Sequence, residues 1–581
     1  MRDHLGEVSG EPLATANRRR LPLFAGLAAA VLAALVGVFL AGKRAGDRPL
    51  PDFQRLTFGR GGVWSARFAP DGRTVVYGAA WEGGPIRLYS TRTDGRDSTR
   101  LEVADADVLS VSSLGEIAML LQRPIAPMNY FAGTLARAPL AGGAPREMAE
   151  DIVDADWSPD GRTLAIARRV GQKQRLEFPP GKVLFETSGW VEALRFSPKG
   201  DRLAFLLRGA DTSVETVDLG GAHRILSRGW KRATGRGLAW SADGSEIWFT
   251  VNESGWRTPL RAVTPGGRER LVLRLPNWFR LEDVSRDGRV LAALLAMRAS
   301  MRGLAPGESA ERDLSWHESS LAKAITPDGK TVLFDEGNEG YFHTIYVRPM
   351  DGGPAKRIGD GRSLAISPDG RWVASNSAGR GSTLVLLPTG AGESKVLDSK
   401  DHRFEEAVFF PDGKRLLLQA IDPGRGVRSF VMDLETQKLD AIGPEGTTCL
   451  VVSPDGRDAA CDGPNHQGVI YPVHGGAARP IRGLRAAEEE PLLWSSDGRS
   501  VFVGPRGRPV SARPNPSASL QVFRVDLSTG RRELWHEFIP ADRAGLAGGT
   551  GYNFAMTPDG KSYVYSYLNV PADLYLVTGL K

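Results

Sequence analysis

The sequence predicts an all-β protein of tandem β-propellers, about twelve four-stranded blades in two six-bladed rings, behind one N-terminal transmembrane helix. Three observations predict it. First, a (Ser/Thr)-Pro-Asp-Gly-(Arg/Lys) signature recurs. It is clear at Asp71, Asp160, Asp328, Asp369, Asp412, Asp455 and Asp559, reduced to Asp-Gly at Asp243, Asp287 and Asp497, and degenerate at Leu114-Gly115 and Lys199-Gly200. Second, successive copies lie 39 to 46 residues apart, save a last interval of 62, and a fixed period of this size marks a repeat architecture. Third, each period holds four strand-like segments, the content of one blade. A single ring of twelve would exceed the usual range of blade numbers, so two rings are expected.

The first element is a tail, residues 1–20. Leu21 to Gly42 follow without a charge, long enough to cross a bilayer as a helix. Arg18-Arg19-Arg20 stand before this run and Lys43-Arg44 after it. The balance puts the tail in the cytoplasm and the repeats outside it, in the periplasm of a bacterial cell. A cleaved signal peptide is the alternative, and Asn17-Arg-Arg-Arg-Leu21 faintly resembles a twin-arginine signal. Residues 43–52 read as a linker, 53–312 as the first propeller and 313–581 as the second, with the seam near 305–320.

Within a blade the reasoning is local. Phe68-Ala-Pro-Asp-Gly-Arg-Thr-Val-Val-Tyr77 reads as strand, turn, strand, because Pro presets φ, Asp bonds nearby backbone and Gly accepts positive φ. Ile86-Arg-Leu-Tyr-Ser90 and Ser98-Thr-Arg-Leu-Glu102 supply the third and fourth strands. The ten Asp-Gly aspartates are thus turn formers and not catalysts. At the ends, Phe53-Gln-Arg-Leu-Thr57 reads as a fourth strand with no blade before it, and Asp573-Leu-Tyr-Leu-Val577 as a third with no fourth after it. The N-terminal strand therefore acts as a clasp, completing either the last blade or blade six of interlocked rings.

The two cysteines, Cys449 and Cys461, flank Asp455 in one hairpin. A turn closed by Ser453 and Arg457 puts them opposite each other, a candidate disulfide or a pair of buried thiols. Gly504 to Pro516, with Arg506, Arg508 and Arg513, is a Pro/Arg-rich insertion. It reads either as a partner-binding loop for acidic groups or lipid headgroups, or as a tolerated surface loop. The net charge of +6 is spread over scattered arginines, which excludes a nucleic-acid module built on a basic patch.

Chemistry is harder to find. The sequence has no Gly-x-Ser-x-Gly elbow, phosphate-binding loop, His-Glu-x-x-His or kinase catalytic loop. No segment long enough for a peptidase domain follows the last repeat. His317 and His402 read as structural or surface residues. Asp151, Asp154 and Asp156, and likewise Asp335, Glu336 and Glu339, are two acidic groupings short of a full calcium loop, and so read as solvated loop acids. The expectation is a chain that is not an enzyme, with no metal and no cofactor.

The Phe-Ser-Pro-Asp-Gly-(Arg/Lys) repeats, each followed by a Leu/Val-Ala-Phe strand, resemble the PD40 (WD40-like) propeller repeat of the TolB type across about nine-tenths of the chain. Glu311-Arg-Asp-Leu-Ser-Trp316, Ile325 to Gly337, Val347-Arg-Pro-Met-Asp-Gly-Gly353 and Leu387 to Glu393 are similar to the propeller half of bacterial membrane-anchored Ser/Thr kinases, here without the kinase. The resemblance implies a membrane-anchored sensor or scaffold that binds a ligand or protein partner at its propeller faces. The alternatives are a TolB-like partner in an envelope complex and a propeller hydrolase or lyase with its site at a funnel mouth.

Overall fold

Each repeat folds around the same turn. At Ser367-Pro-Asp-Gly the Ser367 hydroxyl donates to Asp369 at 2.5 Å, Asp369 accepts the Arg371 N–H at 3.0 Å, and Ser367 Oγ accepts the Trp372 N–H at 2.9 Å. Gly370 completes the turn at φ 72°, a left-handed conformation that glycine adopts without a Cβ penalty. The same contacts recur at Asp160, Asp243, Asp328, Asp455, Asp497 and Asp559. Asp287 takes the Ser285 hydroxyl, while Asp71 and Asp412, which have no hydroxyl two residues before them, serve backbone N–H groups of Arg73 and Lys414. These hydrogen bonds stabilise the charged form, so the aspartates at Asp160, Asp243, Asp369 and Asp497 sit below the usual carboxylate range, Asp243 at about 2.

The computed structural model describes residues 50–580 apart from 104, 122–131, 231–236, 254–257, 277, 338–342, 377–382, 398–401, 422–425, 507–518 and 547–552. The apolar run 21–42 lies outside the described residues. Among those described, no helix is long and apolar enough to cross a membrane.

The turns join strands into antiparallel sheets, eight of them four-stranded. Two larger sheets are four-stranded units joined. In the seven-stranded sheet, Arg146–Trp157 serves both units. Its exposed first half pairs with Gly133–Pro139 and its buried second half with Leu164–Val170. Asp151, at φ 59°, marks the change. In the eight-stranded sheet, the unit Gly61–Phe68, Thr74–Trp81, Arg87–Arg92, Ser98–Arg100 meets a second unit through one parallel bridge, Gly62 to Ala572. Four-stranded sheets packed face to face, with their first strands around channels, make the protein a β-propeller.

The chain ends are threaded through these sheets. The second unit of the eight-stranded sheet consists of Trp278–Val284, Val290–Leu295, Ala572–Thr578 and Asp52–Arg55. Beside it, Arg298–Leu304 pairs with Tyr563–Asn569 and Arg312–Asp313. The expected division at 312/313 therefore does not separate the sheets. The last strand lies with residues 278–295, and a mid-chain strand lies with residues 553–569. The N-terminal strand holds the C-terminal one through the Leu56 N–H to Leu574 O bond, at 2.8 Å, and the Arg55–Asp573 ion pair, at 2.7 Å.

Apolar side chains fill the space between neighbouring sheets. Leu56, Val63, Tyr77, Leu291 and Leu574, each at most 1% exposed, form one such layer across the chain-end sheet. The first strand of each sheet is an edge, so its outward N–H groups need partners from the next sheet. Side chains supply them. Asp154 and Asp156 accept the N–H groups of Leu194 and Phe196 at 2.9 and 2.8 Å. Glu282 and Asp283 accept those of Ala66 and Phe68 at 3.2 and 2.9 Å. Ser566 and Ser429 do the same for Ala322 and Cys449, at 2.6 and 2.8 Å.

Candidate functional site

Residues of the sheets' first strands line two cavities of opposite character, here called the first and second channels. The first is a polar cavity of about 260 Å³, walled by Gly61–Phe68, Ala106–Val111, Arg146–Trp157, Trp190–Phe196, Gly237–Trp240 and Trp278–Val284 at their turn-bearing ends. Period-2 alternation places the residue before each terminal apolar residue on the channel side. Arg67, Ser110, Asp156, Arg195 and Asp283 occupy these positions. Arg67 donates to the carbonyls of Leu109 and Glu282 at 2.7 and 2.8 Å, tying three strands together. Arg286 stands at the rim, where most other turns carry Pro, Ser or Ala.

The acids here were expected on the surface as solvated loop residues. Asp154 is buried, and Asp156 lies in the channel wall with protein around it. One oxygen of each accepts a backbone N–H from the next sheet, and the other oxygen of Asp154 takes the Ala155 N–H. Desolvation pushes Asp156 up to about 8, against the opposing pull of the Phe196 N–H and Arg67. Burial likewise raises Asp283 and Glu282. Asp151 is exposed and paired with Arg169 at 2.7 Å.

A pH dependence follows. An unfolded Asp titrates near pH 4, so between about pH 4 and 8 the folded chain holds a proton that the unfolded chain releases. Stability from this group is full below pH 4 and falls as pH rises through 8. Asp156→Asn keeps an acceptor for Phe196 but has no proton to lose. Denaturant titrations at pH 5 and pH 9 should show the wild type losing more stability than the variant over that interval. Parallel losses would rule out Asp156 as the source.

The second channel is a mainly apolar cavity of about 240 Å³. Ile325, Ile366, Val408, Leu450, Leu492 and Met556 line it, one from each of six first strands. Lys323, Glu406 and Glu490 supply its charge. Lys323 and Arg362 both reach Glu406 at 2.7 Å, and Arg362 reaches Glu405 at 3.2 Å. Asp335 and Glu336, also expected as solvated acids, are buried. Asp335 accepts the Ser363 N–H at 3.1 Å and is pushed up to about 6 by burial. Glu336 accepts the N–H groups of His317 and Ser319 and the Ser320 hydroxyl. Glu339 lies outside the described residues.

The remaining sequence-derived sites are dispersed. Cys449 and Cys461 face each other with sulfurs 2.01 Å apart. Arg506, expected on a partner-binding loop, turns inward instead. It is 14% exposed, bonds the carbonyls of Glu489 and His466 at 2.7 and 3.1 Å, and pairs with Asp462. Arg508 and Arg513 lie outside the described residues. The His402 ring packs against Phe430 at 4.5 Å. Of the residues before the motif's apolar position, Arg67, Arg195 and Asp283 were passed over and Asp156 was read only as a loop acid. The signal for them was their alternation with buried residues on strands that must be edges.

No family model matches the sequence. Over 400 residues the chain is 26% identical to tricorn protease homolog 1 of Streptomyces coelicolor, covering 62% of this chain and 34% of that protein. The chain thus spans about a third of the length of that relative. Among solved structures it is similar to a protein described as TolB from Agrobacterium tumefaciens, with 20% identity and a TM-score of 0.35 over 47% of this chain and 99% of that one. It is also similar to the tricorn protease, with 12% identity and a TM-score of 0.25 over 88% and 43%. The expectation of a chain without enzymatic activity is overturned by the sequence relative, a protease homologue. Missing short motifs exclude only chemistry whose residues are neighbours along the chain. The kinase-linked likeness of residues 311–393 is not shown by these matches.

Proposed function

We propose that the chain is a peptide-handling protein of a tricorn-like proteolytic system, formed of two interlocked six-bladed propellers. The observation that carries this reading is the second channel, whose apolar walls suit an extended peptide with apolar side chains. The sequence similarity to a protease homologue supports the proteolytic setting. The two-ring arrangement draws support from contacts among first strands. Gly61–Phe68 touches Ala106–Val111, and the series continues through Arg146–Trp157, Trp190–Phe196 and Gly237–Trp240 to Trp278–Val284, which touches Gly61–Phe68 again.

The test is fluorescence anisotropy with labelled apolar and polar decapeptides, followed by mass spectrometry of the incubated peptides. Apolar peptides should bind, and Leu450→Arg together with Leu492→Arg should weaken binding at least tenfold without lowering Tm. Equal binding by that double variant would sink the channel as the site. Cleavage products from the wild-type chain would place the peptidase chemistry on this chain itself. A second reading, an extracytoplasmic ligand sensor or envelope-complex partner, draws on the uncharged run 21–42. Protease protection of the repeats in sealed cells or vesicles tests its topology.

A further inference from the structure

The first channel holds a cluster that neither the peptide reading nor the packing of the fold uses. Three polar groups on residues that line it have no hydrogen-bond partner among the described residues: Ser110 Oγ, Trp157 Nε1 and Arg195 Nε. Their residues are 2%, 6% and 7% exposed. A buried polar atom without a partner costs about 1–3 kcal/mol, and three of them on residues that line one cavity are a costly arrangement for packing alone. The indole and guanidinium groups are donors only, and the hydroxyl can donate. They call for a ligand that accepts hydrogen bonds.

We propose that this mouth is a binding site for a small carboxylic acid in its carboxylate form, one bearing an apolar or aromatic group. The charge comes from Arg195 inside and Arg286 at the rim, with Arg67 behind them. The walls are Trp157, Trp240 and Phe196, which suit an apolar body and leave room for one of modest size. The neighbouring acids choose between anions. A dianion such as phosphate would meet both Asp156 and Asp283. A carboxylate carries one charge, and a protonated Asp156 can donate its hydrogen bond to it. The raised affinity of Asp156 for its proton supports this arrangement. The groups facing Asp156 are Arg67 from the first strand, Asp154 on its own strand, Arg195 from the next, and Asp283 and Arg286 from the last. No charged side chain of Ala106–Val111 or Gly237–Trp240 lines the cavity.

The probes are phenylacetate and N-acetylphenylalanine, each with its amide, and inorganic phosphate. They are titrated into the full chain while tryptophan fluorescence is followed. Saturable binding of the acids, with the amides and phosphate at least tenfold weaker, is the expected result. If phenylacetate binds, the site accepts a free acid. If only N-acetylphenylalanine binds, the carboxylate arrives on a peptide end. Either result supports the site. Arg195→Met should lose at least tenfold in affinity. Because that change also removes the Arg195 bond to the Leu194 carbonyl, Arg286→Ala and Ser110→Ala are measured alongside it, each expected to lose two- to fivefold with Tm retained. Affinity should fall between pH 7 and pH 9 as Asp156 ionises, and Asp156→Asn should remove that fall. Amides binding as tightly as acids, no binding of either acid, or unchanged affinity in all three folded variants would overturn the proposal.

Discussion

Removing the last strand, by ending the chain at Val570, is expected to abolish folding of sheets far from the C-terminus as well as near it. Ala572–Thr578 is paired at six positions with Val290–Leu295, from Leu295 opposite Ala572 to Val290 opposite Val577. Leu574 and Val577 are fully buried and Leu576 is 4% exposed. Burying three such side chains contributes roughly 5–9 kcal/mol, which rivals the whole stability of a typical domain, about 5–15 kcal/mol. Deletion also leaves the N-terminal strand without its partner and exposes Leu56 and Leu291. Limited proteolysis should therefore find the sheets of residues 61–295 as sensitive as those of 320–569. Leu574→Ala is the milder control, expected to cost about 2–5 kcal/mol while the chain still folds. Should residues 61–295 stay protease-resistant in the truncated chain, the threaded ends would be decoration and not a common support.

The repeat was legible because its turn chemistry is local. Ser, Asp and Gly of each motif bond one another within five residues, so the pattern survives in the sequence whatever surrounds it. The same holds for the strands that follow. The cysteine pair shows how a correct pairing can rest on two errors that cancel. The turn is closed by Ser453 and Asp458, not Ser453 and Arg457, and a bulge between Cys449 and Val451 restores the register. Similar shifts occur in the first strands at Val63/Ser65, Val108/Ser110 and Leu281/Asp283, and nothing in the local composition announces them.

The acids escaped the reading for a physical reason. Asp154, Asp156, Asp335 and Glu336 resemble loop acids when composition is read alone, because a charged residue is seldom placed inside. Here the interior has donors to offer, namely the edge N–H groups of the adjacent sheet and, for Glu336, groups at the start of its own sheet, and a carboxylate serves them better than an apolar residue does. Arg506 shows the reverse case. Proline and glycine around it suggest a free loop, yet Glu489, His466 and Asp462 supply acceptors that draw the guanidinium inward. In both cases the deciding partners lie on other strands or in the loops before them, 16 to 44 residues away, beyond any window of local pattern. The interlocking of the chain ends was visible as two incomplete sets of strands, but which sheet each completes depended on packing.

Tyr565→Ala is the single substitution expected to weaken the chain-end junction most. The ring is 1% exposed and packs against Phe538 at 5.1 Å and Tyr567 at 6.1 Å. Its hydroxyl donates to Glu311 at 2.9 Å, beside the matching bond from Tyr563 to the other oxygen of the same carboxylate. Arg302, directly opposite Tyr565 across the sheet, reaches Glu311 at 3.3 Å. The cluster thus fastens a mid-chain segment to the C-terminal strands. Truncation to Ala removes a buried aromatic ring, about 3–5 kcal/mol, and takes a donor from a carboxylate. Tyr565→Phe keeps the ring and should cost about 1.5–3 kcal/mol, the range for a hydrogen bond to a charged group. Burial and Glu311 together hold the Tyr565 hydroxyl proton well above the ordinary phenol range. The folded chain therefore keeps this proton after the unfolded chain has lost it, and stability from this group declines once pH passes about 10. Equilibrium unfolding of wild type, Tyr565→Phe and Glu311→Gln at pH 8 and pH 10.5 separates the contributions. The alkaline loss should shrink in Tyr565→Phe. If that variant instead matches wild type at both pH values, the Glu311 bond is not what secures the junction, and the aromatic packing alone must be.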